Sequence, residues 1–531
     1  MKKYKNYFIN LICPAFIFGS VTGILTAVTV TLYKLCAMHV INVSERGYEL
    51  LREYPYAIPI VMAILFGAAF GYAICYKKLP SIRGGGIPMS IGILRGLITF
   101  KWLRNLIGTF TLSLATFLIG VPLGNEGPSV QMGTAIGRGS VLPFSKKHRA
   151  WDRYSMTGGA CAGFSTATGA PISGIMFAIE EAHQRISPMI VIVSCVSVMF
   201  ARLTTELIAP ILGVSIDLFP EMSVISLKIK DIWIPLVVGI AMGLLAVVFL
   251  KLYKLINTIM NKKLRRVPRQ YKIFAVFALT LILGVVSYSF ISTGHHLILE
   301  LFNGNIAIYM LVLILLARAV LTICANSSSI TGGIFLPILS LGALLSSLLG
   351  RVIQELFGIS QEYYTIILIL GITACISSMM KTPLTAIFFA VEALSCYNNI
   401  VYVIAVSAIA FVITEIFEAK SIPDTVLDTR IEEQNEGKDK KVIDTFVTVQ
   451  KNAFAIGKQI RDIFWPSNLF VLSLKHDETK KAEVDEHGGK EIREGDLLHV
   501  RYSTFDEVAT REELFAIVGE QSIEEKEADV I

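Results

Sequence analysis

Glu126 stands in the stretch GNEGPSV (124–130), between two glycines and ahead of a proline, inside a long apolar region. A carboxylate in such a setting is expensive to keep ionised, so it is expected to work with protons or ions. Two further glycine-rich segments share its design, RGGGIPMSIG (83–92) and TGGIFLPILS (331–340). In each of the three, a proline sits near the start of an apolar run, where its missing N–H costs nothing to a helix. The glycines let backbone come close to backbone or ligand. A helix N-terminus offers unpaired N–H groups and a partial positive charge. Several such ends converging at mid-membrane depth would hold a dehydrated anion without a buried lysine. A full cation there would bind too tightly to let the ion leave. For any one segment alone, a glycine-permitted break or tight packing accounts for the pattern equally well.

A second acidic feature is IEEAHQR (179–185). It closes a segment that repeats: APISGIMFAIEE (170–181) matches TPLTAIFFAVEA (382–393) at five of twelve positions, Pro171/Pro383, Ile175/Ile387, Phe177/Phe389, Ala178/Ala390 and Glu180/Glu392. A shared proline and a shared glutamate, both rare inside spans, point to duplication, and weak internal symmetry marks transporter folds with the site between two halves. Glu180, matched by Glu392, reads as structural. Glu181 faces Ala393 in the match and is the acid free for chemistry, with an exposed helix-end acid paired to Arg185 as its ordinary alternative. His183 reads as a surface histidine. The eight cysteines include no CxxC pair, so neither a zinc site nor a disulfide framework is suggested. An intramembrane protease using buried Glu and His lacks support: HExxH is absent and no histidine follows Glu126 in its own helical run.

The elements that must position these groups are written in the composition. Of 531 residues, 53% are hydrophobic and only 17% charged, with mean hydropathy +0.62; a soluble domain is nearer a quarter charged. Apolar stretches long enough to cross a bilayer run over 8–33, 56–76, 105–124, 188–213, 232–256, 272–291, 305–325, 363–380 and 398–416. Shorter, Gly- and Pro-broken ones lie at 87–98, 128–140, 170–180, 333–350 and 383–394, the form from which ion sites in transporters are built. The chain is therefore read as an all-α polytopic membrane protein. Three lysines in MKKYKNYF place the N-terminus on the cytoplasmic side, and the basic YKKLPSIR (76–83) fits two crossings and a return to it. A multi-pass protein of a plasma (inner) membrane with both N- and C-termini cytoplasmic is the expectation. The first apolar run is too long for a signal peptide. The net charge of +6 is explained by Lys and Arg at span ends and calls for no nucleic acid.

Composition changes near residue 418. We divide the chain into a membrane part (1–418), a polar linker (419–443), a small cytoplasmic α+β domain (444–520) and an acidic tail (521–531). Strands are expected at TFVTV (445–449), NLFVLSL (468–474) and DLLHVRY (496–502), and helices at 452–461 and 505–517.

With RGGGIP, GNEGP and GGIFLP in this order and spacing, the membrane part resembles the CLC family of chloride channels and proton-coupled chloride transporters, whose segments read GSGIP, GREGP and GxFxP. The resemblance implies two inverted halves, a homodimer with one anion pathway per subunit, and chloride and protons as substrates with no cofactor. It implies that Gly85, Gly86, Ile87, Gly127, Ile334 and Phe335 surround the anion. It makes Glu126 a gating acid that occupies an anion site when deprotonated and swings out when protonated, and it makes Glu181 the inner proton acid. Two departures matter. The family serine of GSGIP is Gly85 here, and a family tyrosine aligns with Pro423, no tyrosine occurring between Tyr402 and Tyr502. Both side-chain donors to the anion are thus expected to be missing, with weaker binding and looser selectivity. Chloride/proton antiport is the first reading; a passive chloride or mixed-anion channel, fluoride included, is the second.

The tail, GKQIRDIFWPSNLFVLSL with HGGKEIREGDLLHV, resembles the C-terminal RCK (TrkA-C) subdomain of potassium-transport regulators. That resemblance implies pairing as a dimer and, in some members, a small ligand such as cyclic di-AMP at the seam, which Ile460, Arg461 and Asn468 would face. A ligand-free dimerisation domain is the alternative.

Overall fold

In lipid every backbone polar group must be satisfied within its own segment, so apolar sequence of this length has helix as its only open form. The computed structural model describes residues 12–142, 150–303, 306–358, 360–435, 437–476 and 488–520. The lysine-rich N-terminus and the acidic 521–531 tail lie outside the described residues.

The first half contains α1 (Cys13–Glu53), α2 (Ile58–Lys78), α3 (Ile87–Leu94), α4 (Trp102–Ile119), α5 (Glu126–Val141), α6 (Asp152–Thr168), α7 (Pro171–Phe177) and α8 (Pro188–Leu212). The second contains α9 (Trp233–Thr258), α10 (Arg269–Val286), α11 (His295–Phe302), α12 (Ile308–Ser327), α13 (Phe335–Phe357), α14 (Glu362–Met379), α15 (Pro383–Ala393), α16 (Ile400–Ile416) and α17 (Ile422–Gln434). Ten described helices are long and apolar enough to cross a membrane. They are the nine expected spans and α13. The last was expected to be short and broken, yet it runs for 23 residues, because Gly342 and Gly350 are helical there and serve close packing on Cys375 and Tyr364. The first helix also exceeds its apolar run, reaching 41 residues. Its polar end is held from outside: the Tyr48 hydroxyl donates to the Ile119 carbonyl at 2.6 Å and Arg52 Nε to the Val285 carbonyl at 3.0 Å. The 105–124 span stops early, at Gly120, whose φ of +84° closes the helix in the left-handed conformation that glycine adopts freely.

The two halves pack in the same pattern. Helix α1 lies on α8 as α9 lies on α16, and α5 on α6 as α13 on α14. The short helices α7 and α15 lie against each other, and here the duplication shows at atomic detail. Glu180 accepts the Leu384 and Thr385 amides, both at 2.8 Å, at the start of α15. Glu392 accepts the Ile172 and Ser173 amides, at 2.8 and 2.9 Å, at the start of α7. Each half therefore caps the other's helix with the glutamate that the repeat shares. A carboxylate on orphan N–H groups is a charge-assisted bond and also meets the positive end of the helix. Glu180 is structural, as the repeat suggested.

Residues 419–443, read as a linker, contain α17. Its Ile422, Val426 and Leu427 are buried against the membrane part, and Ser421 caps it by accepting the Asp424 amide. The polar look of the segment reflects one solvated face over an apolar one. Beyond it, β1 (Lys441–Thr448), β2 (Leu469–Lys475) and β3 (Leu497–Thr504) form an antiparallel sheet in the order β1–β3–β2, covered by α18 (Glu507–Val518). The helix expected at 452–461 is absent; Asn452 and Gly457 take positive φ, and only the short 3-10 turn Ile460–Asp462 forms.

Replacing either shared glutamate tests the reciprocal caps. Glu180→Gln and Glu392→Gln are each expected to lower the thermal midpoint of the detergent-solubilised protein by a few degrees, corresponding to about 1–2 kcal/mol. The double variant should fall below both. Unchanged midpoints in both singles would show that the caps carry no stability.

Candidate anion-transport site

The three glycine-rich segments meet. The Gly124 and Gly333 backbones exchange two hydrogen bonds, both 2.7 Å, like a single rung of sheet between the halves. Gly84 donates to the Ser329 carbonyl at 3.0 Å. At the centre no side chain fits. A β-carbon on Gly86 would lie 2.2 Å from the Gly127 carbonyl, and one on Gly127 would lie 2.3 Å from the Gly85 oxygen and 2.7 Å from the Gly333 Cα. Gly86 also holds a φ of +70°.

Each segment opens a helix at this junction: α3 after Gly86, α5 at Glu126 and α13 after Ile334. The Ile334, Phe335 and Gly127 amides donate to no described backbone oxygen, whereas the Ile87 amide is turned back onto the Gly85 carbonyl at 2.7 Å. Phe335 is fixed edge-on by Phe164 and Phe389, with centroids at 5.1 and 5.2 Å. Gly85, Gly86, Ile87, Gly127, Ile334 and Phe335 thus surround one point, and all are buried.

Glu126 opens α5 at this junction and is fully buried. Neither carboxylate oxygen makes a hydrogen bond of good geometry among the described residues, although its own backbone N–H and that of Leu336 act on the carboxylate. Its Oε2 folds over Gly124, where a β-carbon would sit 2.4 Å from it and 2.8 Å from the Leu336 Cβ. On one side of it, Asn125 and Leu336 line a cavity of about 510 Å³ that also carries Lys34, Asp217 and His295.

Glu181 is 6% exposed, with Oε1 unpartnered. It opens on a separate cavity of about 180 Å³, together with Glu180, Asp424, Glu415, Lys381 and Pro423. Pro423 therefore lies on the same cavity wall as Glu181. The Glu181–Arg185 pair, the ordinary alternative for this acid, is not among the ion pairs of the described residues. Arg185 instead donates to the Ile463 carbonyl at 3.2 Å and lies 4.6 Å over the Phe464 ring. His183, read as a surface residue, is partly covered: its ring is 4.4 Å from that of Phe464, and its Nε2 is 2.8 Å from the Thr157 hydroxyl.

Those contacts reveal a connection that no motif announced. The segment Asp462–Ser467 of the C-terminal domain packs on the end of the segment that carries Glu181. Phe464 also packs on Tyr154 at 4.3 Å, and the Tyr154 hydroxyl donates to the Asp462 carbonyl at 2.8 Å. Arg153 donates to the Trp465 carbonyl at 2.7 Å and pairs with Glu513 at 2.7 Å. Ser467 donates to the Arg95 carbonyl, while the Arg95 guanidinium donates to the Glu181 and Ala182 carbonyls, each at 2.9 Å. Of the three residues expected to face a regulatory ligand, Ile460 points into the domain's own core, and Arg461 and Asn468 are exposed. The sequence signal for the grip is IFWP (463–466), an apolar cluster lying outside the expected strands of the tail.

Similarity to known proteins agrees with this geometry. The H(+)/Cl(-) exchange transporters ClcA of Salmonella agona (strain SL483) and Salmonella gallinarum (strain 287/91 / NCTC 13346) are each 29% identical over 405 residues, spanning 74% of this chain and 82% of theirs. Among solved structures, a slow cyanobacterial Cl-/H+ antiporter superposes with a TM-score of 0.71 at 24% identity, covering 80% of this chain and 99% of that one. A CLC-type fluoride/proton antiporter superposes at 0.61 and 22% identity, covering 78% and 97%. Residues 67–415 match the voltage gated chloride channel family model, and the chain belongs to that family, with the CLC fold.

Proposed function

We propose that this protein exchanges chloride for protons across a membrane, with Glu126 as the gate and Glu181 as the inner proton acid. One observation carries the reading: a buried, unpartnered carboxylate at the junction of three helix N-termini. Ionised, Glu126 competes with an anion for the same field; protonated, it gives the place up. A second buried carboxylate, with its Oε1 unpartnered and opening on a different cavity, supports a separate proton entrance. The exchange activity in the names of the Salmonella relatives supports the same assignment. Fluoride is the second reading for the anion, favoured by Gly85 in the place of the family serine. On this reading the protein is a homodimer in the plasma (inner) membrane, with N- and C-termini cytoplasmic.

In liposomes with the voltage set by valinomycin and potassium, an imposed chloride gradient is expected to drive protons uphill. Glu126→Gln should abolish proton movement, and Glu181→Gln should uncouple it while anion flux continues. Without uphill proton movement in the wild type, a passive channel is the correct reading. Normal coupling in Glu181→Gln would remove that residue from the mechanism.

The division at 1–418, 419–443, 444–520 and 521–531 is kept as a functional one, with an RCK-C-like regulatory module after α17. Cyclic di-AMP is its candidate ligand, approached through Arg461 and Asn468. The Phe464 grip supports regulation through the Glu181 segment, because any shift of the module reaches that segment without an intermediary. Phe464→Ala is expected to change the exchange rate by roughly threefold or more, from the loss of aromatic contacts worth about 0.5–1.5 kcal/mol. Phe470→Ala, on the exposed face of β2, serves as the control and should leave the rate as it is. Equal rates in both variants would mean the module is only attached.

A further inference from the structure

The loss of the family serine at Gly85 leaves the anion loop without a hydroxyl, yet the space is not empty of donors. Asn326, in the last turn of α12, is 1% exposed. Its Nδ2 lies 3.6 Å from the position a Gly85 β-carbon would take, closer than the Gly332 carbonyl at 3.7 Å. That Nδ2 has no hydrogen-bond partner among the described residues. A buried amide nitrogen without a partner costs about 1–3 kcal/mol, so something must normally satisfy it.

Its orientation is held from behind. The Tyr253 hydroxyl donates to Asn326 Oδ1 at 3.1 Å, which turns the NH₂ group away from α9 and towards the loop. The backbone fixes the same relation. Ser329 donates to the Asn326 carbonyl at 2.9 Å, and Gly84, one residue before Gly85, donates to the Ser329 carbonyl at 3.0 Å. Ser329 holds a φ of +69°, a strained conformation for a residue with a side chain. This tight turn binds the end of α12 to the glycine loop. A serine at 85 would direct its hydroxyl into the space that Asn326 now reaches, so glycine at 85 and asparagine at 326 form a matched pair.

We propose that the Asn326 side-chain amide is the anion's side-chain donor in this protein, occupying the place that a serine at position 85 would otherwise fill. The proposal rests on the anion assignment made above and names a side-chain donor where the family's two are expected to be missing. An amide N–H is a neutral donor, so it attracts the ion without trapping it, as a lysine would.

The test is chloride binding to the full-length purified protein by calorimetry, a readout independent of proton coupling. Asn326→Ala is expected to weaken chloride binding about tenfold, the usual worth of one hydrogen bond to a charged group. Adding Gly85→Ser in that background should restore affinity to within about threefold of wild type, by the same measure. Gly85→Ser alone, crowded by Asn326, should not improve on wild type. If Asn326→Ala does not elute as a folded dimer or monomer, Asn326→Asp keeps the size and the Tyr253 contact, and should weaken binding at least as much. Wild-type affinity in a folded Asn326 variant overturns the proposal, and so does a loss that Gly85→Ser fails to rescue, since that marks a purely structural role. Absence of chloride binding in the wild type would instead overturn the anion assignment itself.

Discussion

Everything in the membrane part depends on the closeness of three backbones. Gly86, Gly127 and Gly333 approach so tightly that a single added carbon on any of them would meet another main chain at under 3 Å. That contact brings three helix starts together and leaves the Gly127, Ile334 and Phe335 amides without a described backbone partner. It leaves no room for a side chain on the three glycines themselves. The field at that point is made of partial charges spread over several helix ends, strong enough to hold one negative charge and too diffuse to require it.

The two-fold character of the fold follows from the same economy. Glu180 and Glu392 each cap the opposite half, so the halves are joined by polar bonds at α7 and α15 as well as by apolar packing. The Gly124–Gly333 rung makes a second joint on the other side of the site. Between these two joints lies Glu126, with Glu181 on a cavity of its own. On the proposed mechanism, a frame fixed at two joints would let each acid meet the ion or proton at a defined place.

Much of this was legible in the residues. Long apolar runs can only be helix in lipid, so the spans could be read directly, and Gly-Pro punctuation located the three helix starts. The repeat was legible because Pro and Glu are rare inside spans, and it marked Glu180 as structural. What was hidden shares one cause. Alternation of polar and apolar residues does not tell whether a face meets water or another element, so α17 was taken for a linker and His183 for a surface group. The grip of Phe464 on Tyr154 and Arg185 joins residues about 300 apart, a distance over which no local pattern carries information. Asn326 was missed for a related reason: the family motif directs attention to position 85, and its replacement came from another helix.

The reciprocal caps also set an order of events in time. The start of α7 is closed by Glu392, 220 residues further along the chain. At synthesis rates of about 5–20 residues per second, the first half waits roughly 10–45 s with its short helix uncapped. During that interval the early helices sit in the bilayer as a half-built frame whose site cannot close. The cap on α7 therefore forms only once the last short helix is made, so a chain truncated before residue 392 would leave the start of α7 without its glutamate.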